Sequence, residues 1–161
     1  MKRLLCCLLL LTLLPSIGCR RTQEYRTDVS CRAITDAICD QLGDDEEYAA
    51  FGKDHLRFFF EDTDTYSDQS LVYSVRSENI DEVGVFLAKS EEDVPVLRTL
   101  CEQYVTSLRE EQRAFIESYA PREAKKLDSA EVRVFGRYVV YTVLDQEERE
   151  EAHEKIEELL K

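Results

Sequence analysis

Apolar positions recur along the chain with two different periods. Cys31, Ile34, Ile38 and Leu42 fall on one helical stripe with Gly43 behind them, which predicts a helix from about Ser30 to Leu42. An acidic turn follows at Asp44 to Glu47. The short apolar segment from Asp54 to Phe60, with its Phe58-Phe59-Phe60 cluster, is expected to form a helical turn or two, with a strand as the alternative. Glu61 to Ser70 is polar and is expected to be a loop. The period then drops to two. Leu71, Tyr73 and Val75 alternate with Val72, Ser74 and Arg76, and Val83, Val85 and Leu87 alternate with Gly84, Phe86 and Ala88, so two strands are expected on either side of a Ser77–Asp81 connection.

A helical pattern returns from Glu91 to Tyr119 and stops before Pro121, where the residue preceding proline is pushed out of the helical region. A short helical piece near Arg122 to Leu127 leads to a second hairpin, Glu131–Phe135 and Tyr138–Leu144, joined by Gly136-Arg137, a pair suited to a tight primed turn. Tyr138–Leu144 is apolar on both faces and should be a central strand. Asp145 with Glu148 three residues on marks the start of a last, mostly charged helix. The order α-(α)-β-β-α-β-β-α implies an α+β fold. Its expected form is an antiparallel sheet of about four strands in two hairpins, a long helix between the hairpins, and helices packed on one face.

One polar residue interrupts the longest apolar stripe. On a regular helical wheel Val94, Leu97, Cys101, Val105, Leu108, Phe115 and Tyr119 share a face, Gln112 falls in its middle and Arg109 at its edge. A buried amide without partners costs on the order of 1–3 kcal/mol, so Gln112 needs hydrogen-bond partners, with Tyr119, Tyr138 or sheet-edge backbone as candidates. Two readings stay open. Gln112 is a buried clamp of helix on sheet, or Arg109, Gln112, Tyr119 and Tyr138 line a pocket in which Arg109 meets an anion or carboxylate.

The N-terminus places the chain. Lys2 and Arg3 precede an apolar run from Leu4 to Leu14 and a small-residue stretch, Pro15 to Gly18, the layout of an export signal over residues 1–18. The apolar run is about half of the ~20 residues that a membrane-spanning helix needs. Ser16-Ile17-Gly18-Cys19 resembles a bacterial lipobox at its last three positions and departs from it at Ser16. Cys19 is therefore the expected lipidation site, where two or three acyl chains, at roughly 0.8 kcal/mol per buried methylene, would hold the protein on a bilayer. Residues 19–28 form a polar tether carrying Arg20, Arg21 and Arg26, and residues 29–161 a single domain. The tether arginines would meet anionic headgroups, or simply belong to a solvated linker.

Of the cysteines beyond the leader and Cys19, Cys31 and Cys39 sit eight residues apart on one helix, roughly 12 Å along its axis. That exceeds the ~7 Å that a disulfide allows between Cα atoms. Either one could pair with Cys101, or all three could be buried thiols, which is the expectation.

From Ile34 to Asp145 the chain is similar to small clostridial, Gram-positive lipoproteins grouped as domain-of-unknown-function family 4358. The resemblance is carried by Asp81-Glu82-Val83-Gly84-Val85-Phe86, by Arg109, Gln112, Phe115, Tyr119 and Pro121, and by Gly136, Tyr138 and Asp145. It implies an exported, lipid-anchored α+β domain and supplies no mechanism.

Charge and motif content narrow the function. Acids outnumber bases 34 to 21, for a formal net charge of −13, which becomes −15 once the leader takes Lys2 and Arg3 away. Such a body repels phosphate backbones, so no nucleic-acid partner is expected. Glu61, Asp62, Asp64 and Asp68 lack the glycine and the bidentate glutamate of a calcium loop, His153-Glu154 lacks a second histidine, and no nucleophile elbow or phosphate loop occurs. No metal, cofactor or catalytic residue is therefore expected. The reading is a binding or scaffolding module held to the outer face of the cytoplasmic membrane by lipid, with a protein partner. The alternatives are a cell-envelope hydrolase, which should show converging titratable groups in a cleft, and a small-ligand carrier with a deep apolar cavity.

Overall fold

The computed structural model describes residues 24–43, 47–52 and 65–161. Within these, helix α1 (Cys31–Leu42) precedes strands β1 (Tyr48–Ala50), β2 (Tyr66–Ser74) and β3 (Glu82–Ala88). Helix α2 (Val94–Ser107) continues through a π-helical turn (Leu108–Gln112) into α3 (Arg113–Tyr119) and is followed by α4 (Ala124–Ser129). Strands β4 (Glu131–Phe135) and β5 (Tyr138–Val143) and helix α5 (Gln146–Leu160) complete the order.

The strands form one five-stranded antiparallel sheet in the order β1-β2-β3-β5-β4. Both expected hairpins are present and β3 pairs with β5, so the α2–α4 connection carries the chain from β3 over β5 to the edge strand β4. The fold is α+β, as the element order implied, with one strand more than expected. That strand, β1, is three residues long and pairs Tyr48 with Ser74 and Ala50 with Val72.

Helices cover both faces of the sheet, not one. Side-chain parity along the central strands explains why. Val83, Val85, Leu87, Tyr138 and Val140 point to one side and pack with Ile34 and Ile38 of α1 and Ala152, Ile156 and Leu160 of α5. Phe86, Ala88, Val139, Tyr141 and Val143 point to the other and pack with Leu97, Cys101, Tyr104 and Val105 of α2, Ile116 of α3 and Leu127 of α4. Every residue of β3 and β5 is buried, the mark of strands covered on both faces.

Local chemistry sets the element ends. Ser30 Oγ accepts the Ala33 N–H at 3.2 Å and caps α1. The segment Tyr66–Ser70, expected as loop, is the first half of β2, and its polarity has a structural use. Asp68 accepts the Cys31 N–H at 2.7 Å, placing an anion at the N-terminus of α1, and Ser70 shares a 2.6 Å hydrogen bond with Thr35. Gly136 takes φ +60° at the first central position of the β4–β5 turn, where glycine costs nothing. Glu148 reaches back to the Asp145 N–H at 3.2 Å and completes the expected capping box of α5.

The thiols of Cys31, Cys39 and Cys101 are buried and not disulfide-bonded. Cys101 lies on the opposite side of the sheet from the other two, so no pairing with it is open. The leader, Cys19, Arg20 and Arg21 of the tether, the Asp44–Asp45–Glu46 part of the acidic turn, the Asp54–Phe60 segment and Glu61–Asp64 lie outside the described residues.

Candidate functional site

The long helix does not keep one register. A π-helical turn at Leu108–Gln112 inserts one residue, which rotates everything after it by about 100°. Beyond it, Ile116 and Ala120 are buried where the regular wheel put Phe115 and Tyr119. Phe115 is instead 62% exposed and Tyr119 57% exposed, and their rings stack in parallel with centroids 5.8 Å apart and planes 9° off.

Gln112 is exposed as well and is not a buried clamp. It precedes α3 and, three and seven residues before Phe115 and Tyr119, shares their outward stripe. Arg109 supplies the clamp. Its Nε donates to the Leu127 carbonyl at 2.7 Å and its Nη2 to the Ala130 carbonyl, fixing the π-turn to the C-terminal end of α4. Tyr138 is fully buried on the other side of the sheet, donating its hydroxyl to the Val29 carbonyl at 2.5 Å. Burial pushes its phenol up to about 12. The four expected residues thus separate into an exposed pair, Gln112 and Tyr119, an inward clamp, Arg109, and a core residue, Tyr138. Phe115 joins the exposed pair, and only the π-turn makes it available.

Beside this stripe, Tyr119, Pro121, Arg122 and Glu123 border a cleft of about 380 Å³ with Glu78 of the β2–β3 turn on its far wall. The aromatic face therefore lies at the β2–β3 turn end of the sheet. A second cleft, about 530 Å³, runs between α1 and the β1–β2 edge and is lined by Arg32, Asp36, Asp40, Tyr48 and Ser70 among others. Arg32 and Asp36 face each other there at 3.6 Å, both well exposed.

Two polar clusters lie at the same end of the sheet, at the start of β3. Glu82, buried at the start of β3, accepts the Tyr104 hydroxyl at 2.6 Å and the Tyr141 hydroxyl at the same oxygen. Burial raises its carboxyl to about 7, against the opposing pull of the two phenol hydrogen bonds. The Tyr141 ring reaches Glu82 by lying across Gly84, its partner in register, where an added Cβ would sit 2.0 Å from the ring. One residue earlier, Asp81 accepts from Lys126 of α4, from Asn79 at 2.9 Å and from Tyr48 of β1 at 3.2 Å, and Glu123 meets the same Lys126 at 2.8 Å. Burial pulls the Lys126 amine down, but these carboxylates more than offset it and leave it raised.

His153 of α5 is a core histidine. Its Nδ1 lies 3.0 Å from Arg133, and burial, aided by that guanidinium, lowers it to about 4, so the ring is neutral at physiological pH. Glu82 and His153, whose protonation burial shifts toward the neutral form, are both closed off from solvent. Among the described residues no group of three or more acids, histidines or cysteines is arranged to hold a metal ion, and no helix is long and apolar enough to cross a membrane.

Compared with known proteins, residues 43–144, more than half of the chain, match the model of a domain of unknown function, DUF4358. The match spans the sheet and the α2–α4 connection. No curated protein and no solved structure matches the chain.

Proposed function

The chain belongs to the DUF4358 family of domains of unknown function, and from that premise we propose that it is an exported, lipid-anchored binding module at the outer face of the cytoplasmic membrane. It docks a protein partner on the Gln112–Phe115–Tyr119 stripe. The observation that carries the docking half is the stacked, solvent-facing aromatic pair. Large aromatic anchors of this kind are enriched at the centres of protein interfaces, where burying one yields about 1.5–3 kcal/mol. The rigid Arg109 clamp beneath holds the pair in place before binding, which lowers the ordering cost of association. The anchoring half rests on the export signal and on Ile17-Gly18-Cys19.

Each half has its own test. Cys19→Ser is expected to move the protein from the membrane fraction to the medium, and mass spectrometry of the wild-type N-terminal peptide to find a diacylglyceryl group on Cys19. Unchanged fractionation or a bare thiol would refute anchoring. For docking, a photo-crosslinking residue at position 115 in living cells should give a discrete adduct with another envelope protein, lost on Tyr119→Ala. The same probe at the exposed Glu154 of α5 should give none. Equal adducts at both positions, or none at 115, would refute the docking face.

A further inference from the structure

The point where the N-terminal segment joins the domain and the aromatic pair sit at opposite poles of the domain. Among the described residues, Tyr25 is the first whose side chain packs on the fold. Its ring meets Phe135 edge-on at 5.9 Å, and its Cβ lies 3.0 Å from where a side chain on Gly136 would begin, at the β4–β5 turn. The next residue, Arg26, donates its N–H to the Leu160 carbonyl at 3.0 Å, tying the same segment to the end of α5. The β4–β5 turn and the β2–β3 turn lie at opposite ends of the sheet, because Leu87 pairs with Tyr138 and Glu82 with Val143. Five residue steps along β3 separate these pairs by about 17 Å before either turn is counted. Tyr119 and Arg122 flank Glu78 at the β2–β3 end.

Five residues, Arg20 to Glu24, separate Cys19 from Tyr25. Whatever conformation they take, six Cα steps span at most about 21 Å. A domain of this size is about 35 Å across, so the path round its surface from one pole to the other is about 55 Å. The tether lets the domain lean on the membrane and forbids it to turn over. Resting on the anchoring proposed above, we infer that the domain stands on the bilayer on its Tyr25–Gly136–Lys161 pole and holds the Phe115–Tyr119 face outward. The exposed aromatic pair then serves an envelope partner lying above the membrane and not the lipid interface, where exposed aromatics of an anchored protein would otherwise insert.

Energy transfer to the bilayer tests this with the full lipidated protein. A donor dye is attached at Lys161→Cys, beside the tether, or at Arg122→Cys, beside Tyr119. Both positions are exposed, whereas the domain's own three thiols are buried. Each protein is reconstituted on vesicles of phosphatidylglycerol and phosphatidylethanolamine that carry headgroup acceptors, and co-flotation with the vesicles is scored in parallel. The expected result is flotation of both, with transfer from position 122 lower by roughly twofold, given about 17 Å or more of added height. Flotation with equal transfer, or with greater transfer from 122, would overturn the orientation while leaving the anchor standing. Failure to float would overturn the anchor, and the orientation with it.

Discussion

Gly84 and Glu82 show how one missing side chain allows a polar group in the core. The Tyr141 ring occupies the space over Gly84 and so delivers its hydroxyl to the Glu82 carboxyl, which Tyr104 meets from α2. Gly84→Ala puts a methyl into that ring and is expected to destabilise the fold by about 2–4 kcal/mol, more than a typical core overpacking, because the ring is pinned by its hydrogen bond. Denaturant unfolding checks it. The carboxyl itself makes stability depend on pH. Its folded-state value, about 7, lies above the ordinary 4.5, so the folded protein holds this proton more tightly. The contribution is fully present below about pH 4.5 and is lost as pH rises through 7. His153 has the opposite sign, since its value falls from 6.5 to about 4 and its contribution fades as pH drops through 4. Wild-type stability alone would mix the two. The difference between wild type and Glu82→Gln isolates the first, because glutamine keeps an acceptor for both phenols and carries no charge. The variant should gain on wild type by roughly 2–3 kcal/mol between pH 5 and 8. A constant difference across that range would mean that the carboxyl titrates as if in water.

Among the elements, the long helix is where periodicity misleads. The apolar stripe from Val94 to Leu108 was legible and is largely buried, but a wheel continued past Leu108 turns the wrong residues inward. Nothing local announces the π-turn. Its fixed point is Arg109 bonded to carbonyls at 127 and 130, groups at the end of a separate helix, 18 and 21 residues further along the chain. Truncating Arg109 to Ala leaves those carbonyls short of a charged donor and is expected to cost about 1.5–3 kcal/mol. Gln112→Leu on the exposed stripe should change stability by less than about 0.5 kcal/mol. Thermal melts of the two variants distinguish this arrangement from a Gln112 clamp, which requires the reverse order. Strands followed the same division. β3 and β5 announced themselves by apolar runs, whereas the polar half of β2 is a strand because Asp68 and Ser70 bond α1, and β1 is too short to show a period. The two-sided cover was implicit in β5, apolar on both faces, and becomes visible when the parity of β3 is added. The same parity separates Tyr138 from Arg109, Gln112 and Tyr119, since its side of the sheet belongs to α1 and α5.

At the scale of the whole molecule, orientation depends on a junction of a few residues. Arg26 pairs with Asp28, its Nε and Nη2 donating to the two carboxylate oxygens at 2.6 and 2.8 Å, and holds that carboxyl down near 2. What the segment contributes is a short, fixed exit. Tyr25 is the side chain that fixes it, wedged between Phe135 and the turn at Gly136. Tyr25→Ala removes an aromatic contact and part of its burial, which is expected to cost about 1–2 kcal/mol in stability. It also moves the start of the tether inward along the chain. With Tyr25 released, the next tie is the Arg26–Leu160 backbone bond, and once that frays the free length grows toward Val29, itself tied by the Tyr138 hydroxyl. Ten Cα steps from Cys19 would then span about 36 Å, still short of the path of about 55 Å round the domain but enough to let it lean much further toward the bilayer. Transfer to the bilayer from a donor at position 122 should therefore rise relative to that at 161, while flotation is unchanged. If Tyr25→Ala lowers stability but leaves the two transfer efficiencies in their wild-type ratio, the fixed exit is not what sets the pose.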